Sequence, residues 1–148
     1  MDKKDKEQYI FGMIFLFANQ IQAIADREGG DITLKQWFLL MVIYNMESKS
    51  PTINLVADFM GYSRQNAKKM LVILERKGYV KMYPSHTDAR AMNVVLTQKS
   101  LDYFAETEEF GNKLLKEIFR GIDQEQINML YDTFKILEGN IHILNQAK

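Results

Sequence analysis

Apolar residues recur at helical spacing over most of this chain, and the pattern gives way to short β-prone runs at only one place. The first helix is predicted from about Lys6 to Arg27, where Gly29 and Gly30 end it. A second begins at Thr33, which has capping-box spacing to Gln36, and carries Trp37, Leu40, Met41 and Tyr44 on one face. From Thr52 to Met60 the apolar positions Leu55, Val56 and Phe59 share a helical face; Gly61 stops that helix and Ser63 caps the next, which runs to Lys77. In this helix Ala67, Met70, Leu71 and Leu74 follow the i, i+3, i+4, i+7 rhythm of a core-facing side. Tyr79 to Tyr83 and Met92 to Thr97 are the β-prone runs, joined by the polar loop from Pro84 to Arg90. The expected class is mainly α with a small β-hairpin wing: a winged helix-turn-helix.

Helical periodicity returns beyond Thr97, from about Lys99 to Arg120 and from Gln124 to Asn145, with Asp123 and Gln126 spaced to cap the second. Ile127, Leu130, Tyr131, Phe134, Leu137, Ile141 and Leu144 form a stripe too long for a core lying elsewhere in the chain. Such a stripe calls for a partner surface, and a second copy of the chain supplies one by symmetry. Packing of the first and last helices on each other within one chain is the plainer alternative. The division expected is a winged lobe over 33–97 and a helical dimerisation region made of 1–32 and 98–148.

A chain of 148 residues is long enough to bury a core without metal or disulfide support. With no cysteine it holds no disulfide, no thiolate metal site and no thiol redox sensor. The uncharged run from Gln8 to Ala25 approaches the length of a membrane span. Gln8, Asn19, Gln20 and Gln22 interrupt it, however, and leave only Tyr9 to Ala18 strongly apolar. A signal peptide is the closer rival, because Ala23-Ile24-Ala25 mimics a cleavage site, but the residues ahead of the apolar run sum to zero charge. A buried amphipathic helix is the expectation, and a membrane partner is not.

Basic and acidic residues balance at 19 each, so nonspecific attraction to polyanions is not built into the total. Their distribution is uneven. From Arg64 to Lys81 six basic residues face one acidic one, a net of +5, whereas 98–148 carries a net of −3. A basic block in an otherwise acidic chain is the footprint of contact with nucleic acid through one face. Opposite the apolar side of the helix from Ser63 to Lys77 lie Gln65 and Lys69, flanked by Asn66 and Lys68. Amides of Gln and Asn pair with adenine edges, and Arg or Lys reach guanine or phosphate. Ser63 sets its hydroxyl and the first backbone amides near a phosphate. A polar helix face is usually a solvated face, but such faces mix both signs, and no carboxylate occurs from Arg64 to Leu74. At the tip of the hairpin, Arg90 has the reach to enter a narrow minor groove, and the neighbouring Asp88 can hold the loop in shape.

With those residues in view the chain resembles the MarR family of bacterial winged-helix regulators. The likeness is carried by Leu34-Lys35-Gln36-Trp37, by Leu74-Glu75-Arg76-Lys77-Gly78-Tyr79-Val80, by Asp88-Ala89-Arg90 and by Val95-Leu96-Thr97. It implies a homodimer held by the first and last helices, a winged lobe on each subunit and a near-palindromic operator. By position it assigns Ser63, Arg64, Gln65, Asn66, Lys68 and Lys69 to the major groove and DNA backbone, and Asp88 and Arg90 to the wing. Two departures stand out: Ser100 where a glycine often follows the last strand, and Ser85, His86 and Thr87 where wings are commonly basic.

The function expected is sequence-specific transcriptional regulation in the cytoplasm, with double-stranded DNA and a second copy as partners. A small apolar or aromatic effector is expected to modulate binding, with Phe15, Trp37 and Met41 as candidate lining, although core packing is the better explanation of all three. No cofactor or metal is expected. Catalysis is not supported, since His86 and His142 are the only histidines and Ser85 is merely a neighbour of the first. The rival reading is a winged helix used for protein contact without DNA, which has no need of a basic face.

Overall fold

A computed structural model describes residues 1–147 and forms two compact units, Met1–Phe104 and Ala105–Lys148. The described residues fold into α1 (Lys3–Asp26), α2 (Leu34–Asn45), α3 (Ile53–Met60), α4 (Arg64–Arg76), β1 (Val80–Pro84), β2 (Met92–Leu96), α5 (Gln98–Ile118) and α6 (Gln124–Gln146). The unit boundary falls inside α5.

Local chemistry accounts for the helix ends. Thr33 accepts the Gln36 amide at 3.2 Å while Gln36 accepts the Thr33 amide at 3.0 Å, completing the box that opens α2. Asp123 and Gln126 repeat the exchange at α6, at 2.9 and 3.0 Å. Asp2 and Asp5 do the same for α1, so that helix starts three residues before the position expected from periodicity. Gly61, at φ +68°, closes α3 in the left-handed conformation and lets the Tyr62 amide reach back to the Ala57 carbonyl at 2.9 Å.

The core lies within the first unit, where Leu39 and Leu40 of α2, Val56 and Ala57 of α3, Ala67, Leu71 and Leu74 of α4, and Val94 of β2 lose all contact with water. The seam expected on α4 is present, with Met70 at its margin. That of α3 differs: Ile53, Val56 and Ala57 are buried, whereas Leu55 and Phe59 remain 49% and 69% exposed. The small Ala57 allows α3 to approach α4 along this line, and Leu55 and Phe59 sit on the adjoining edge. On α2 the buried set is Leu39, Leu40, Val42 and Ile43; Tyr44 lies outside it, its ring edge-on to Phe104 at 5.7 Å.

β1 and β2 pair antiparallel from Val80↔Leu96 to Pro84↔Met92. The hairpin is fastened to both helices of the helix-turn-helix. Thr52, the N-cap of α3, bridges Asn93, and the Val94 amide donates to the Pro51 carbonyl at 2.9 Å. On the other edge, Glu75 of α4 accepts the Met82 amide at 2.6 Å, which also satisfies a donor that an edge strand leaves open.

The first helix departs from expectation. It rests against α2, but no described residue of α1 is buried, and Tyr9, Phe11, Phe15 and Phe17 stand exposed. By length and composition alone α1 is apolar enough to cross a membrane. In the second unit α6 likewise has no buried residue, and Leu130, Phe134, Ile141 and Leu144 of its stripe are exposed.

Candidate nucleic-acid interface

The interface begins with a cap. Ser63 has extended backbone, and its Oγ accepts the Asn66 amide at 3.1 Å, which launches α4 from the turn after Gly61. Since Ala67, Leu71 and Leu74 turn inward, Arg64, Gln65, Asn66, Lys68 and Lys69 are forced outward, and all five are exposed. Among the described residues none of their side chains has a hydrogen bond or ion pair within the chain. The donors of this face are therefore unspent.

Asp88 organises the wing loop from within. Its Oδ1 accepts the Arg90 amide at 2.9 Å and its carbonyl accepts the Ala91 amide at 3.0 Å, while the Ser85 amide extends the hairpin by donating to the Ala91 carbonyl at 2.9 Å. The outermost residues are thus His86 to Ala89. Arg90 lies on the side of the loop that returns to β2, not at the tip, and its side chain is exposed.

One consequence is a groove of about 280 Å³ lined by Arg64, Gln65 and Lys68 of α4, by Arg90 of the wing loop and by Thr52 and Asn54 at the start of α3. Four of the eight residues singled out from the sequence thus meet in one concavity. Lys69 and Asn66 belong to the exposed face of α4 outside it; Ser63 and Asp88 act here as caps that shape its two sides. Asn54 escaped the sequence reading. Its position in the first turn of α3 is visible in the sequence, but that this turn lies against the wing depends on the Thr52–Asn93 bridge, a contact between distant segments.

The far end of α4 is electrostatically different. Lys77, counted in the basic block, donates to the Asp31 carbonyl and lies 4.0 Å from its carboxylate. Lys99 is 3.8 Å from the same carboxylate and 4.6 Å above the Tyr79 ring, and the Tyr79 hydroxyl donates to Asp31 at 2.6 Å. That hydroxyl first, then the two ammonium groups, hold the Asp31 carboxyl below its ordinary value of 3.8. A lowered folded value means that the contribution of the cluster is complete at neutral pH and is lost as pH falls through the acidic range below 3.8. Ser100 belongs to the same region: it is buried, and its hydroxyl donates to the Tyr79 carbonyl at 2.6 Å, a bond that a glycine in its place cannot make. Arg64, Lys68, Lys69, Arg76 and Lys81 remain as cations of the block without an ion pair among the described residues.

Comparison with known proteins matches residues 30–91 to the model of the MarR family. Those residues run from within the α1–α2 loop to the close of the wing loop just ahead of β2, and they include every residue of the groove except Met92. Solved structures share the whole architecture. The Streptococcus pneumoniae FabT structure in complex with DNA is 22% identical, covers 93% of this chain and 99% of its own, and superposes with a TM-score of 0.69. The S. aureus MepR–DNA complex gives 21%, 90% and 96%, with a TM-score of 0.75. A MarR transcriptional regulator from Methanosarcina mazei Go1 gives 18%, 93% and 99%, with a TM-score of 0.82. The resemblance read from the sequence is borne out, and with it the six-helix winged fold.

Proposed function

We propose that this protein, whose winged lobe matches the model of the MarR family of transcriptional regulators over residues 30–91, is a sequence-specific DNA-binding regulator acting as a homodimer on a near-palindromic operator. The observation that carries the reading is the convergence of Arg64, Gln65, Lys68 and Arg90 on one groove, with no carboxylate lining it. Arg64, Gln65, Asn66, Lys68 and Lys69 enter the major groove, where the amides read base edges and the cations reach guanine or phosphate. Ser63 orients the first turn toward a phosphate, and the wing pair Asp88 and Arg90 extends contact to the flanking minor groove. FabT and MepR are relatives by fold that bind DNA, which agrees with this assignment.

The dimer is supported by the unburied apolar sides of α1 and α6, the helices of the proposed dimerisation region 1–32 and 98–148. Covering them with a second copy removes aromatic surface from water and sets two recognition helices about 34 Å apart, one turn of duplex. On this reading the apolar character of α1 serves association between copies, and the protein works in the cytoplasm. A small apolar or aromatic effector that changes the separation of the two lobes releases the operator. Of the candidate contacts for such a ligand, Trp37 packs against the core, Met41 is half-buried on α2 and Phe15 is exposed on α1.

Selection of bound fragments from random duplexes at fixed salt tests the proposal directly. The expected product is a pair of inverted half-sites with centres one helical turn apart. Recovery of no enriched sequence, with binding absent even at low ionic strength, leaves the protein-contact reading in its place.

A further inference from the structure

A backbone strand of DNA is the wall between a major groove and the minor groove beside it, so a protein that enters both must straddle that strand. Here the residues between the recognition helix and the wing are known: the 280 Å³ groove is closed by Thr52, Ile53 and Asn54 on the α3 side and by Ala91 and Met92 on the hairpin side. Most of these offer the strand little. Ile53 is buried, Ala91 and Met92 are apolar, and the Thr52 hydroxyl is engaged as the cap of α3, accepting the Leu55 amide at 3.2 Å. The Asn54 carboxamide is the exception, because it is half-exposed and has no hydrogen-bond partner among the described residues. It shares the lining of the groove with three cations that have no ion pair among the described residues, Arg64 and Lys68 from α4 and Arg90 from the wing loop.

We propose that this groove is a channel for the sugar-phosphate strand separating the two DNA grooves, and that Asn54 is a further DNA-contacting residue whose amide donates to a phosphate oxygen at its floor. The inference rests on the DNA-binding reading above. It adds a neutral contact to a charged set, and that difference is measurable. A lysine bound to phosphate displaces a counterion, so its loss flattens the dependence of log K on log salt by about 0.9. A carboxamide displaces none. It contributes a hydrogen bond to an anion, and its removal weakens binding roughly tenfold at every salt concentration.

The test compares wild type, Asn54→Ala and Lys68→Ala on the selected operator and on a shuffled duplex across a salt series. Asn54→Ala is expected to weaken both duplexes by the same factor with an unchanged salt slope, while Lys68→Ala flattens the slope. Alanine favours a helix more than asparagine does, so folding is not the obstacle, and thermal melting verifies this. A second measurement locates the contact. Placing one uncharged methylphosphonate at successive positions along the wild-type operator is expected to reveal one phosphate whose neutralisation costs wild type more than it costs Asn54→Ala. If wild type binds DNA and Asn54→Ala binds both duplexes equally well, the channel assignment alone falls. A loss confined to the operator overturns it too, by making Asn54 a base reader. Wild type that binds neither duplex removes the DNA reading, and this one with it.

Discussion

The winged lobe and the terminal helices solve the problem of apolar surface in opposite ways. In the lobe Leu39, Leu40, Val56, Ala57, Leu71, Leu74 and Val94 bury one another completely, and the exposed residues of the first turns of α4, Arg64 to Lys69, are amides and cations. On α6 no described residue is buried, and the outside is leucine, isoleucine and phenylalanine. The lobe thus closes a core within one copy, although Leu55 and Phe59 stay exposed on its edge, whereas α6 closes none among the described residues. The contrast matches the division of labour proposed above, with reading at the lobe and pairing at the ends.

The largest effect that can test this contrast lies in the lobe. Leu71→Ala removes side-chain atoms from a site with no room to collapse and is expected to lower unfolding free energy by roughly 2 to 5 kcal/mol; a denaturant midpoint near that of wild type would mean the core is not closed as described. On α6, Phe134→Lys sets a charge in the proposed pairing face. Light scattering is expected to show half the mass, and affinity for a two-half-site operator is expected to fall roughly a hundredfold as avidity is lost. A variant that stays dimeric removes this stripe from the pairing surface. Smaller in effect, Gln65→Ala is expected to cost roughly 1 to 3 kcal/mol on the preferred operator and to relax base choice at one position. Equal losses on preferred and random duplexes instead assign Gln65 to positioning. The smallest change is that of Lys69→Ala, which is expected to weaken binding to all duplexes and to reduce the salt slope by about 0.9; an unaltered slope places Lys69 outside the contact.

Features set by neighbours in the chain were legible in the sequence. Both expected capping boxes, the left-handed Gly61, the buried side of α4 and the outward set from Arg64 to Lys69 depend on spacings of three and four residues, which periodicity reports directly. Features set by distant contacts were not. Lys77 reads as one more cation of the block until Asp31, 46 residues away, is brought beside it. Leu55 and Phe59 read as core because the apolar arc of α3 is wider than the strip that α2, α4 and β2 cover, and periodicity cannot choose which edge stays bare. Arg90 reads as a loop tip until the Ser85–Ala91 bond shortens the loop. Asn54 carries no signal of its own, since a lone amide in a first helical turn is ordinary.

Glu75 holding the Met82 amide, together with Thr52 holding Asn93, lashes the wing to both helices of the turn. The recognition helix and the wing consequently have little freedom to tilt separately. Under the proposed DNA-binding role, a rotation of the lobe by a small angle would lift helix and arginine from the duplex in a single stroke, without a stable half-released posture. For that role a weakly charged loop of serine, histidine and threonine would suffice: it need not grip alone, because it would leave only when its neighbour leaves.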